Sequence, residues 1–241
     1  MAIAVLIAQG RLPRPERIVI ADTAREASET WAYADAHVRP LLAPLGLQIE
    51  VAPHSLATVD LYGKNGQLLI PAFTATGKND TWCSAEWKTA VAQRYYRSLG
   101  YGPKRPIVTW IGISLDEIGR AAPGKRKWQQ IKWPLLFDVP MRREECRRLV
   151  LSAGLPDPPK SSCWMCPYRR NSQWRNLRDA WPEDFAKACA LDAQIRSDGW
   201  RQVYVHQSCV PLSDANLAEP DRPTSSLFGE VEHCDSGHCW V

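Results

Sequence analysis

Apolar residues recur along the first 150 positions in two registers. Short apolar runs at 16–21, 47–52 and 106–113 read as buried strands, with 68–73 a briefer candidate. Between them, 25–45, 84–99 and 142–153 carry helical periodicity, and Gly100 and Gly154 supply stops for the last two. Strands of this length separated by helices predict an α/β fold, a three-layer sandwich with a mainly parallel sheet covered on both faces. The pattern then changes. From residue 155 the chain is loop-rich, with Pro156, Pro158 and Pro159 leading into Cys163-Trp164-Met165-Cys166, followed by a helical stretch over 172–197. Residues 211–241 show little periodicity. The expected organisation is a core over 1–154, a cysteine-bearing, partly helical C-terminal part of the same domain over 155–210, and a tail over 211–241.

Composition narrows the class without naming a function. Hydrophobic residues make up 45% and charged residues 23% of 241 residues, ordinary for a folded domain. No apolar stretch approaches the roughly 20 residues of a membrane helix. Residues 1–10 are apolar but lack the basic region and cleavage site of a signal peptide, so a cytoplasmic protein is expected. A net charge of +4 suits an anionic ligand and does not by itself indicate nucleic acid. Eight cysteines are the anomaly, because a reducing compartment argues against a disulfide framework.

Their positions suggest metal chemistry. Cys163 and Cys166 form a C-x-x-C turn, which lets two thiolates converge on one metal or cluster. Cys234 and Cys239 form a second close pair near the end of the chain. Cys83 precedes the helix over 84–99, where the helix dipole favours a thiolate. Cys146 and Cys189 sit within helical patterns and read as core thiols, Cys209 is unassigned, and the isolated His54 and His206 read as structural. At strand ends, Asp22-Thr23 with Glu29-Thr30 suits ribose or adenine, or is a loop with a helix cap. Residues 112–120, with Gly112, Ser114, Asp116 and Arg120 and with Lys125 beyond, suit a phosphate or form a solvated charged loop. The aromatic and basic stretch 168–175 suits a nucleic-acid substrate, or is a helix whose aromatics face the core.

Taken in order, these segments resemble the phosphoadenosine-phosphosulfate (PAPS) reductase family, within the adenine-nucleotide α-hydrolase-like superfamily of ATP pyrophosphatases and sulfurtransferases. The resemblance rests on Ile18-Val19-Ile20-Ala21-Asp22-Thr23 with Glu29-Thr30, Trp82-Cys83-Ser84-Ala85-Glu86-Trp87-Lys88, and Trp110-Ile111-Gly112-Ile113-Ser114 through Arg120. It continues through Trp133-Pro134-Leu135, Leu155-Pro156 and Ser162-Cys163-Trp164-Met165-Cys166-Pro167, spanning about residues 15–210.

The resemblance implies an adenine nucleotide such as ATP at Asp22, Thr23, Gly112, Ser114 and Arg120, with Lys88 facing phosphate or sulfate. It implies a [4Fe–4S] cluster on Cys83, Cys163 and Cys166. The family's Cys-Cys pair is Trp82-Cys83 here, so the fourth position is open to exogenous sulfide or filled by Cys234 or Cys239. The family's C-terminal catalytic thiol corresponds loosely to Cys234. The expected activity is sulfur transfer or sulfonucleotide reduction, with sulfur transfer preferred. The family also opens on a strand and a Ser-Gly-Gly-x-x-Ser phosphate loop, which this sequence lacks; residues 1–10 read as the helix that follows one. The alternative is a non-catalytic binding or structural module in which Cys163, Cys166, Cys234 and Cys239 hold zinc.

Overall fold

A computed structural model describes residues 1–79, 82–124, 126–200 and 202–221. The architecture is mixed α/β, with short parallel strand pairs. Helix α1 (Ala2–Ala8) precedes β1 (Ile18–Ala21), which pairs in parallel with β2 (Ile49–Ala52), Ile18 opposite Ile49 and Ala21 opposite Ala52. The connection between them is one helical run. It comprises α2 (Ser28–Tyr33), a π-helical turn (Ala34–Val38), α3 (Arg39–Leu42) and a closing 3₁₀ turn ended by left-handed Gly46. The π turn lies just before Pro40, whose missing amide hydrogen disturbs the regular ladder.

The strands β3 (Phe73–Thr74) and β4 (Gly77–Lys78) form a small antiparallel hairpin. A second π-helical turn (Ser84–Thr89) runs into α4 (Ala90–Ser98), and Gly100 takes a positive φ beyond it. A second parallel pair, β5 (Ile107–Trp110) with β6 (Gln129–Lys132), follows. The remaining helices are α5 (Pro134–Phe137), α6 (Arg143–Ser152), α7 (Asn171–Ala180) and α8 (Pro182–Ser197).

Helices cover both faces of β1. Ile18 and Ile20 pack with α1, the α2–α3 run and α6, whereas Val19 and Ala21 pack with α4. Trp110 of β5 joins the first of these clusters and Ile107 the second, so β5 shares both layers with β1. Among the described residues the two parallel pairs remain separate two-stranded sheets. A third and larger core, with Trp87, Trp174, Leu177 and Ile195 fully buried, joins α7 and α8 to the 61–72 loop.

Several boundaries differ from expectation for identifiable reasons. The first long helix starts at Ser28 and not near residue 25, because Ala24 is left-handed (φ 56°) and Glu26 is bridged to Cys163, holding 22–27 out of helix. Residues 68–73 are a buried loop with strand character at its two ends, where Leu68 bridges Tyr62, and Phe73 bridges Tyr204 and begins the hairpin. The stretch over 172–197 is two helices, broken at Trp181 by the following Pro182. Strand β6 carries no apolar alternation; its Gln129 amide donates to Thr109 Oγ1 across the pair at 3.1 Å in a buried bond.

Two buried carboxylates on α8 organise the loops. Asp184 accepts from the Ser28 amide at 2.7 Å at the start of α2, and its other oxygen meets Lys187 at 3.2 Å. Asp192 accepts from the Val205 and Leu212 amides, at 2.8 and 2.9 Å, while pairing with Arg196.

Candidate functional site: a half-buried thiol cluster

The site begins in the loop after β1. The Asp22 carboxylate accepts from the Ala24 amide at 2.7 Å and Thr23 Oγ1 accepts from the Arg25 amide at 3.2 Å, which fixes the left-handed turn at Ala24. The chain then runs antiparallel to the C-x-x-C turn. The Trp164 amide donates to the Arg25 carbonyl at 2.8 Å and the Ala27 amide to the Ser162 carbonyl at 3.1 Å. Fully buried Thr23 thereby comes to lie with its hydroxyl 3.4 Å from Cys163 Sγ.

Cys83 arrives from a different part of the chain. The Leu69 carbonyl accepts from both the Trp82 and Cys83 amides at 2.9 Å, pinning the start of the second π turn to the 61–72 loop. Cys163 and Cys166 each sense the other's neighbourhood, the first through the charge of Cys166 and the second through that of Cys83. The three thiols, separated by up to 83 positions in the chain, are each half-buried, with charge influence running from Cys166 to Cys163 and from Cys83 to Cys166.

Charge around them is mixed. Burial pushes the Cys163 thiol strongly upward and the nearby Glu26 carboxyl adds to it, against the Lys88 ammonium. Burial likewise raises Cys166, against a Tyr168 backbone hydrogen bond, Lys160 and Arg169. Without a cation both groups are neutral thiols at neutral pH; a coordinated metal reverses this by deprotonating them. Glu26 is itself pushed up by desolvation, opposed by Lys88, a hydrogen bond from Ser161 (3.2 Å) and Arg169.

Lys88 is buried, and its charge acts on both Cys163 and Glu26. Arg169 is buried as well. Its guanidinium pairs with Glu29 at 3.2 Å and donates to the carbonyls of Cys163 and Ser162, at 3.3 and 3.5 Å, holding the turn from behind.

The donor chemistry suits a soft metal or iron–sulfur group: thiols, with ammonium and guanidinium groups to offset thiolate charge. The spacing is looser. Among the described residues no three His, Cys, Asp or Glu side chains are grouped closely enough to hold a metal ion. Cys234 and Cys239 lie outside the described residues, as does Lys125.

The other nucleotide candidates fall elsewhere. Gly112 and Ser114 follow β5, where Ile113 packs with Leu136 of α5; Ser114 is buried and its hydroxyl has no partner. Arg120 pairs with Glu117, and Asp116 accepts from the Arg143 amide at 2.5 Å, capping α6. Loop 112–120 is thus tied down largely by its own charges and α6. In 168–175, Trp174 is fully buried and Arg175 donates to the Leu217 and Glu219 carbonyls, so this stretch faces the core and the C-terminal segment. His206 is buried between Asn171 and Ser208, the structural role expected of it. His54 is not isolated: its ring packs edge-on to Trp87 and Nε2 lies 3.4 Å from Asp60.

Sequence reasoning missed Glu26, Arg25 and Arg169. Only Arg169 carried a signal, three residues beyond Cys166 in a stretch valued for its aromatics.

Cys146 and Cys189 are half-buried against the two larger cores. Burial pushes each thiol up to about 11; Asp192 and Asp214 add to this at Cys189, and Glu145 and Asp116 at Cys146. An unfolded thiol ionises near 9 and these ionise near 11, so the unfolded state loses its protons first and stability falls from pH 9 to about 11. Urea unfolding across that window is expected to show a shallower decline for Cys189→Ala than for the parent. An unchanged slope argues against the buried thiol.

Among the described residues no helix is long and apolar enough to cross a membrane. Comparison with protein-family models, curated proteins and solved structures gives no match to this chain.

Proposed function

We propose that this chain is a PAPS reductase-like protein of the adenine-nucleotide α-hydrolase-like class, in which Cys83, Cys163 and Cys166 hold an iron–sulfur cluster used for sulfur transfer. The observation that carries the reading is the placement of Cys163 and Cys166 on one turn, with the Thr23 hydroxyl 3.4 Å from Cys163 Sγ, where the charges of Lys88 and Cys83 from a separate segment act on them. Core thiols placed by packing alone have no reason to collect beside a buried ammonium. Helices on both faces of β1, and β5 sharing both of its layers, support a three-layer arrangement in which the two strand pairs belong to one central layer.

When bound, such a cluster supplies an iron able to carry sulfur. The chain's own contribution is positional. Leu69 and Arg25 fix the two thiol-bearing segments through their carbonyls, Arg169 braces the turn, and Lys88 offsets negative charge. An adenine nucleotide beyond the carboxyl ends of β1 and β5 would activate the acceptor, with Asp22, Thr23, Gly112, Ser114 and Arg120 the residues proposed to hold it.

Anaerobic purification tests the reading. Brown protein with broad visible absorption and matched iron and acid-labile sulfide is expected. Colourless protein containing zinc and no iron would replace this reading with a structural zinc module.

A further inference from the structure

The positive charge of this protein is concentrated around the β5–β6 pair. Residues 97–133 hold eight lysines and arginines against two acidic residues, a net +6, while the whole chain carries +4. The rest of the chain is therefore net −2. Because β5 and β6 run parallel, the turns that enter them lie at the same end of the pair. Lys104 sits in the turn before β5, closed by reciprocal Gly102–Arg105 bonds of 2.9 and 3.0 Å. Arg126 and Lys127 sit in the turn before β6, where the Ile107 amide donates to the Trp128 carbonyl at 2.8 Å. That turn is tight, since a Cβ at Gly124 would lie 2.7 Å from the Gln129 carbonyl oxygen. Arg97, at the end of α4, places its guanidinium 6.0 Å from the centroid of half-buried Trp128. Lys132 closes β6 at the other end, next to Trp133, whose ring meets Phe137 edge-on at 6.4 Å. Phe137 is 71% exposed, more than any other large hydrophobic among the described residues.

These cations are not consumed internally. Both acidic residues of the segment are already engaged, Asp116 by Arg142 and Glu117 by Arg120, and Arg105 pairs with Glu16. Lys104, Arg126, Lys127 and Lys132 are exposed, and none has a carboxylate partner among the described residues. A lysine on an edge strand such as β6 also guards against unwanted strand pairing. That role covers Lys132 but not Lys104, Arg126 or Lys127, which lie in turns. Unpaired cations at the entry of β6 and a cation with an exposed ring at its exit meet the two needs of a single strand. Phosphates require positive charge, and unstacked bases require an aromatic face. An acidic protein surface would use the cations and leave Phe137 without a role. We propose that this side of the β5–β6 pair binds a single-stranded nucleic acid, its phosphates along Lys104, Arg126, Lys127 and Lys132 and a base on Phe137. None of these residues belongs to the cluster or nucleotide site proposed above, so the assignment stands whether or not iron is bound.

The test titrates the full chain into a fluorescent single-stranded RNA of about 20 nucleotides, and into the DNA of the same sequence, reading anisotropy at about 50 and 200 mM salt. Saturable binding of either strand is expected. Four neutralised phosphates correspond to an affinity loss of about 50-fold between the two salt concentrations. The double variant Arg126→Ala with Lys127→Ala is expected to bind more weakly and to reduce that salt effect to about sevenfold. Phe137→Ala is expected to weaken binding about tenfold with the salt effect unchanged. Lys64→Ala removes an exposed cation from the 61–72 loop and is expected to bind as the parent does. Absence of saturable binding by both strands overturns the proposal, as does a Lys64→Ala loss equal to that of the double variant. Displacement of the strand by poly-glutamate at equal charge, with parental binding in Phe137→Ala, would replace the nucleic acid with an acidic protein partner.

Discussion

Cys163→Ala and Cys166→Ala are each expected to reduce bound iron to background in anaerobically purified protein, while Cys189→Ala retains the parent's content. The contrast follows from placement. The charge of Cys166 acts on Cys163 and that of Cys83 on Cys166, whereas the charges acting on Cys189 are Asp192 and Asp214. Losing one of three thiolates removes a bond that neighbouring side chains cannot replace, since Thr23 and Lys88 are poor iron ligands. Cys83→Ala belongs with the first two. Its loss should be complete, because the Leu69 carbonyl fixes that segment and leaves no second thiol near it in sequence. Equal iron loss in Cys189→Ala would sink the assignment, as it would show that any core thiol substitution destabilises the protein enough to release metal.

Arg169→Met carries the largest expected stability effect, a loss of about 3–5 kcal/mol, the usual consequence of stranding one partner of a buried ion pair. The Arg169 side chain is 2% exposed and Glu29, its partner, 12%. Methionine fills much of the volume but removes the guanidinium from Glu29 and from the Ser162 and Cys163 carbonyls. Lysine is a poor substitute, because one ammonium cannot reproduce a fork that reaches three acceptors. Urea unfolding with an unchanged m-value measures the loss. The double variant Glu29→Gln with Arg169→Met should recover part of it, since neither charge is then left alone. A single-variant loss below about 1 kcal/mol would mean that the pair contributes little to the turn.

How far the sequence disclosed this arrangement depended on the physical signal involved. Strands β1, β2 and β5 announced themselves as apolar runs, and the helices ending at Gly100 and Gly154 by period and by glycines that do adopt positive φ. Strand β6 did not, because its stabilising cross-strand contact is the polar pair Gln129–Thr109. The 68–73 run looked like a strand because it is apolar throughout. Its burial is real, but the Leu69 and Ala72 carbonyls serve Trp82, Cys83 and Asn79, and ladder pairing begins at Phe73. Spacing marked Cys163 and Cys166 as a pair. That Cys83 joins them depends on a loop contact at Leu69, which no local pattern encodes. Glu26 and Arg25 escaped notice for the same reason: their importance lies in what sits opposite them across the Trp164 contact.

The two carboxylates of α8 bear on how freely this protein can diverge. Asp184 and Asp192 grip main-chain amides, at Ser28, Val205 and Leu212, and not the side chains those residues carry. Every amino acid except proline offers the same amide. At half-buried Ser28 the helix start can therefore change its side chain without losing its anchor. Val205 and Leu212, both enclosed in the large core, are limited by volume alone. Drift in these loops leaves their attachment intact, whereas a change at either aspartate releases segments far apart in the chain. The two positions on α8 are thus ones a descendant sequence is not free to alter.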